Sequence, residues 1–223
     1  MTAAAAAAAE VEAQSTEYWV FGYGSLCWNP GFEYTDSIIG YVQGFSRKFW
    51  QGNVAHRGTK EKPGRVATLI EDPQGFVWGK AFLLPDETAF RYLEMREVYL
   101  GGYEVHKVDV LSDDISRSVN ATMYVATPNN IHWLGEVPID QLATQVATCS
   151  GSAGHNAEYV ILLARWERQY APDHRIDAEL AELEGLVNER LRERGLRPDD
   201  VLVGNRPTFS SMVPGKTLRC LNI

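Results

Sequence analysis

The sequence is short of cysteine, with Cys27, Cys149 and Cys220 its three in 223 residues. An odd number without paired spacing excludes a disulfide-stapled scaffold. No second Cys or His stands at a distance that builds a zinc knuckle. The default compartment for such a chain is reducing and cytoplasmic. Positive charge is also scarce: Lys and Arg number 21 against 29 Asp and Glu, a formal net charge of -8. That balance excludes a nucleic-acid footprint, which needs clustered cations to meet phosphates. No stretch approaches the roughly 18 apolar residues of a membrane-spanning helix. The start, MTAAAAAAAEVEAQSTE, lacks the basic and bulky apolar regions of a secretory signal. Residues 1–16 are expected to be a disordered leader, 17–195 one domain, and 196–223 a loop-like tail.

What is present is strand punctuation followed by helices. Apolar and β-branched runs at 18–23, 38–42, 45–50, 66–71, 76–84, 103–111 and 118–126 predict short strands. The turn DPQG at 72–75 is expected to join two of them as a hairpin. Helices are predicted over 86–97, 138–149, 156–170 and 176–195, the first starting at the N-cap candidate Asp86 and the last stopping at Gly195. The fold class expected is α+β: a small mixed, mostly antiparallel β-barrel with flanking helices.

Glu97 carries the sharpest chemical signal. At about 100° per residue from Phe90, Leu93 falls at about 300° and Glu97 at about 340°, so the carboxylate stands on the apolar stripe. Burying a carboxylate is costly for stability alone, which marks it as a general-base candidate. The bland reading, a salt bridge with Arg91, Arg96 or the 57–65 segment, has equal weight on pattern alone. FGYGSL at 21–26 offers backbone N–H groups bare of side chains, a nest for a carboxylate or oxyanion. It lacks the G-x-G-x-x-G and G-x-S-x-G spacings, and an ordinary tight turn explains it as well. Ser25 and Cys27 as nucleophiles with His56 or His155 as base form no recognisable triad motif. Tyr159 opens a helix after the Gly/Ser-rich SGSAGHN, where an anion or a plain core tyrosine fits equally. The basic residues Arg47, Lys48, Arg57, Lys60, Lys62 and Arg65 suit a small acidic substrate.

Taken together, WVFGYGSLCWNPGF at 19–32, the stretch 40–85, YLEMRE at 92–97 with GGY following, YVATPNN at 124–130 and NAEYV at 156–160 resemble the ChaC family, the glutathione-specific γ-glutamylcyclotransferases. The likeness is colinear over about residues 18–170. It implies a γ-glutamylcyclotransferase-like barrel, with Tyr23, Gly24, Ser25 and Leu26 holding the γ-glutamyl group. Glu97 is then the catalytic glutamate, with Tyr159 and Arg65 as further substrate contacts. The implied reaction cyclises the γ-glutamyl group of glutathione to 5-oxoproline and releases Cys-Gly. It calls for no metal or organic cofactor and no nucleic-acid or membrane partner, and it leaves protein partners unknown. One departure stands out: Val98, Tyr99 and Leu100 separate Glu97 from GGY, where similar sequences have one residue, as in REKGGY. A γ-glutamyl-amine or γ-glutamyl-amino-acid cyclotransferase, and a non-catalytic γ-glutamyl or protein-binding module, stay open beside the glutathione reading.

Overall fold

The computed structural model describes residues 17–202, apart from the side chains of Arg96 and Leu100. The leader and most of the tail therefore lie outside the described residues. Five strands, β1 (Trp19–Gly22), β2 (Asp36–Asn53), β3 (Gly64–Leu83), β4 (Glu104–Leu111) and β5 (Ser118–Val125), close into a barrel in the order β1-β3-β2-β4-β5. Every neighbour pair is antiparallel except β1 with β5, which run parallel. Helices α1 (Glu87–Glu94), α2 (Ile139–Val146), α3 (Asn156–Tyr170) and α4 (Ala178–Glu193) flank it. This is the expected mixed, mostly antiparallel barrel.

Two expected features come out differently. The runs 38–42 and 45–50 are one strand, and so are 66–71 and 76–84. DPQG is therefore not a hairpin. Phe45 pairs with Glu71 and Gln43 with Phe76, so residues 72–75 bulge out opposite Gly44 while both strands continue past them. Gly44 bends β2 alongside, at φ 85. Gly75 lies so near the partner strand that a Cβ would stand 2.3 Å from the Phe45 carbonyl. The packed domain also runs past 195: Pro198–Val201 form a short 3-10 turn, and Val201 enters the core.

One large core joins Trp19, Phe21, Trp78 and Met123 of the barrel to Val146 of α2, Ile161 and Leu163 of α3 and Leu183 and Val187 of α4. A smaller cluster of Val20, Leu84, Leu93 and Tyr124, with Phe90 and Val98 packed against it, seats α1 on the barrel. Helix α1 starts where Asp86 accepts the Ala89 N–H at 2.8 Å. It does not continue regularly to 97, because Met95–Leu100 form a π-helical turn.

Candidate active site

The glycine segment leaves the end of β1 and folds into a 3-10 turn over Ser25–Cys27, closed by the Cys27 N–H on the Gly24 carbonyl at 3.0 Å. The N–H groups of Ser25 and Leu26 precede this first bond, the usual position of donors left for a ligand at a helix start. Both glycines are required by close approach. A Cβ on Gly22 would stand 2.5 Å from the Leu26 Cβ, and one on Gly24 2.4 Å from the Tyr159 hydroxyl. Arg47, fully buried in β2, holds the segment from behind: Nε donates to the Tyr23 carbonyl at 3.2 Å and Nη2 to that of Trp78 at 2.7 Å. Its Nη1 pairs with Glu167 at 3.0 Å and Asp177 at 3.1 Å, so α3 and the N-cap of α4 fix the guanidinium.

Tyr159, on the first turn of α3, is buried against this segment. Its hydroxyl accepts the Ala67 N–H at 3.2 Å, and its ring meets Trp28 and Phe49 edge-on. Burial pushes its hydroxyl up to about 12. Tyr23 donates to the Tyr124 carbonyl at 2.7 Å. Burial, first, then the nearby Tyr103, Tyr159 and Glu97 drive the Tyr23 hydroxyl well above its ordinary value. The structure thus brings Tyr23, Gly24 and Tyr159 together, with Glu97 within electrostatic reach of Tyr23. Thr68 joins them, its Oγ1 donating to the Ala126 carbonyl at 2.7 Å. With both hydroxyls raised above their ordinary value, Tyr23 and Tyr159 stay neutral near physiological pH.

Glu97 itself is half-buried rather than buried. The helical wheel misplaces it because the step of about 100° per residue ends with α1 at Glu94. The segment closes with Gly102 N–H on the Val98 carbonyl and Tyr103 N–H on the Glu97 carbonyl, both at 3.0 Å. Each bond is one residue wider than in the Schellman end of an ordinary helix. The residues between Glu97 and Gly101 are accommodated in this wide turn. Gly102 has φ 66, and a Cβ on Gly101 would stand 2.6 Å from the Glu97 carbonyl, so both glycines are needed to end it.

Not every expected residue gathers here. Arg65 is buried, but its guanidinium donates to Gln145 Oε1 at 2.9 Å, the Phe49 carbonyl at 3.3 Å and the Gly135 carbonyl at 2.5 Å. Asn156 grips its backbone on both sides, accepting its N–H and donating to its carbonyl. Arg65 therefore braces β3 against α2 and the 130s loop. The basic cluster likewise disperses: Lys48 pairs with Glu179, Arg57 with Glu158, and Lys62 donates to the Thr148 carbonyl. His155 N-caps α3, its Nδ1 accepting the Ala157 N–H at 3.0 Å, which uses the lone pair a triad base would need. Ser25 is exposed on its turn. Among the described residues no cluster of His, Cys, Asp or Glu could hold a metal ion, and no helix is long and apolar enough to cross a membrane. Sequence reasoning missed Arg47 as an anchor, and it missed Thr68 and Asn156. Only the unusual Arg inside an apolar strand run signalled any of the three.

A small closed, mostly antiparallel barrel with four flanking helices and a glycine turn at the end of its first strand has the γ-glutamylcyclotransferase fold. A crystal structure of a γ-glutamylcyclotransferase specific to glutathione from yeast superposes with a TM-score of 0.69 at 28% identity, covering 78% of this chain and 97% of that one. Residues 18–190 match the family of ChaC-like proteins, and the chain belongs to that family. It is 44% identical over 177 residues to the human glutathione-specific γ-glutamylcyclotransferase 1, spanning 78% of this chain and 79% of that protein. It is 34% identical over 194 residues to the glutathione-specific γ-glutamylcyclotransferase of Schizosaccharomyces pombe, spanning 78% and 94%.

Proposed function

We propose that the chain cyclises the γ-glutamyl group of glutathione, releasing 5-oxoproline and cysteinylglycine, and does so in the cytoplasm. The observation that carries the reading is Glu97 within electrostatic reach of the buried Tyr23, at the turn where Gly24 meets the Tyr159 hydroxyl. The names of the human and fission-yeast relatives support glutathione as the substrate.

The substrate brings its own nucleophile. Its α-amine attacks its γ-carbonyl, the C–N bond to cysteine breaks, and a five-membered lactam forms. Glu97 takes a proton from the α-amine and returns it to the departing cysteinyl amine, so charge and protons balance. Such general acid–base help is worth about 10²- to 10⁴-fold. The N–H groups of Ser25 and Leu26 receive the α-carboxylate or the developing oxyanion, and the neutral Tyr23 and Tyr159 hydroxyls line the space between. Bending the chain until nitrogen and carbon stand within about 3 to 3.5 Å supplies the remaining advantage of an intramolecular reaction. Arg65 is not assigned a substrate contact, since its guanidinium serves three protein acceptors.

Incubating the purified protein with glutathione, γ-Glu-Ala and γ-Glu-ε-Lys, with 5-oxoproline measured by chromatography, tests the reading. Release from glutathione is the expected result. Release from only the other two would transfer the chain to a different γ-glutamyl substrate, and no release from any would leave a binding module.

A further inference from the structure

The π-helical turn that carries Glu97 ends at Gly101 and Gly102, and one side chain from another part of the barrel holds both. Asn130, buried in the loop after β5, donates from Nδ2 to the Gly101 carbonyl at 2.8 Å and the Gly102 carbonyl at 3.1 Å. Its Oδ1 accepts from Gln51 Nε2 at 3.0 Å and from the His132 N–H at 2.9 Å. All the bonding positions of the amide that matter are therefore filled, and its orientation is forced: two backbone acceptors face Nδ2 and a backbone donor faces Oδ1. Gln51 is buried in β2, and its Oε1 has no partner among the described residues, so the bond to Asn130 is what its amide contributes. The same segment is tied back to the turn, Gly102 N–H to the Val98 carbonyl and Tyr103 N–H to the Glu97 carbonyl. The chain of contacts thus runs from β2 through Gln51, Asn130 and the Gly101–Gly102 peptide to the backbone of Glu97.

The turn that carries Glu97 is wider than an α-helix and ends on two glycines, so contacts from outside the segment hold its end in place. We infer that Asn130 is a positioning residue for Glu97: it holds the end of the π-turn against the barrel, with Gln51 setting its amide, so that the carboxylate faces the glycine turn. The inference rests on the acid–base role proposed for Glu97.

Asn130→Asp tests it with almost no change in shape. The carboxylate keeps both bonds from Gln51 and His132 but presents an acceptor to two carbonyls. Displacing a catalytic group by about 1 Å costs up to about 10²-fold, so kcat for glutathione is expected to fall about 10- to 100-fold per folded molecule, with KM within about twofold. Because Asn130 acts through Glu97, adding Asn130→Asp to Glu97→Gln should cost no further rate. Should Asn130→Asp not fold, Gln51→Met removes only the donor to Oδ1, and kcat should fall about threefold or more at unchanged KM. Unchanged kcat per folded molecule in the variants that fold, a rise in KM alone, or an equal further loss on the Glu97→Gln background would each overturn the inference. If Glu97→Gln itself matches wild type, the acid–base reading fails instead, which keeps the two failures distinct.

Discussion

Replacing Gly24 with alanine places a methyl 2.4 Å from the Tyr159 hydroxyl oxygen, with the ring Cζ at 3.6 Å and the Ala67 Cβ at 3.8 Å behind it. Only the hydroxyl is too close, and the other two are ordinary contacts. Relief requires a shift of about half an ångström or more, and Tyr159 cannot yield freely. Its oxygen holds the Ala67 N–H at 3.2 Å, and Trp28 and Phe49 pack edge-on against its ring. Overpacking of this kind costs about 1–3 kcal/mol, and loss of the Ala67 bond adds about 1 kcal/mol. Gly24→Ala should therefore destabilise by about 2–4 kcal/mol. Tyr159→Phe, which loses only the bond, should cost about 1 kcal/mol. Together they should cost little more than Tyr159→Phe alone, because the atom the methyl meets is gone. Urea unfolding of the wild type, both single variants and the double variant gives the coupling directly, expected at about 2–4 kcal/mol. Additivity to within about 0.5 kcal/mol would refute the claim that Gly24 is glycine to admit the tyrosine hydroxyl.

Arg47→Ala leaves Glu167 buried without its guanidinium partner and should destabilise by about 3–5 kcal/mol, measured by denaturant unfolding; wild-type stability would mean that the network carries nothing. It also frees the Tyr23 carbonyl, so turnover per folded molecule should fall with it. The His155 imidazole is held below its ordinary value of 6.5, first by burial and then by the charges of Arg194 and Arg57. The unfolded chain therefore takes up this proton on acidification before the folded one does. Stability is full above about pH 6.5 and is lost as the pH falls toward the lowered folded value. His155→Asn keeps an acceptor for the Ala157 N–H and should flatten the fall in Tm between about pH 7 and pH 5.5; an unchanged slope would assign the acid sensitivity to other groups.

Local grammar was readable where local interactions decide. Asp86 after Pro85 announced the start of α1, His155 and Asn156 mark the start of α3, and the strand runs of the barrel fall where β-branched and aromatic residues cluster. The grammar failed where distant partners decide. DPQG has the composition of a hairpin turn, but β2 bends at Gly44 and continues pairing on both sides of it, so the turn becomes a bulge. The periodicity that singled out Glu97 assumed the wrong geometry, since the π-turn begins two residues before it. The glycines and aromatics of the site were visible as a pattern, and the resemblance to a known family joined them. The fate of the cations was not visible, because an arginine's acceptors lie far along the chain: Glu167 for Arg47, Gln145 and Gly135 for Arg65. Asn130 was hidden for the same reason, as one polar residue in a loop whose partners come from β2 and from the segment after α1.

In the proposed mechanism one carboxylate moves the protons of an intramolecular aminolysis. Its most direct test is the rate of 5-oxoproline release from glutathione by wild type and Glu97→Gln, each shown to be folded and to bind glutathione. Glutamine keeps the shape and removes the proton acceptor, so the account predicts retained binding and a rate lower by at least about 10²-fold. Equal rates in the two proteins would contradict it.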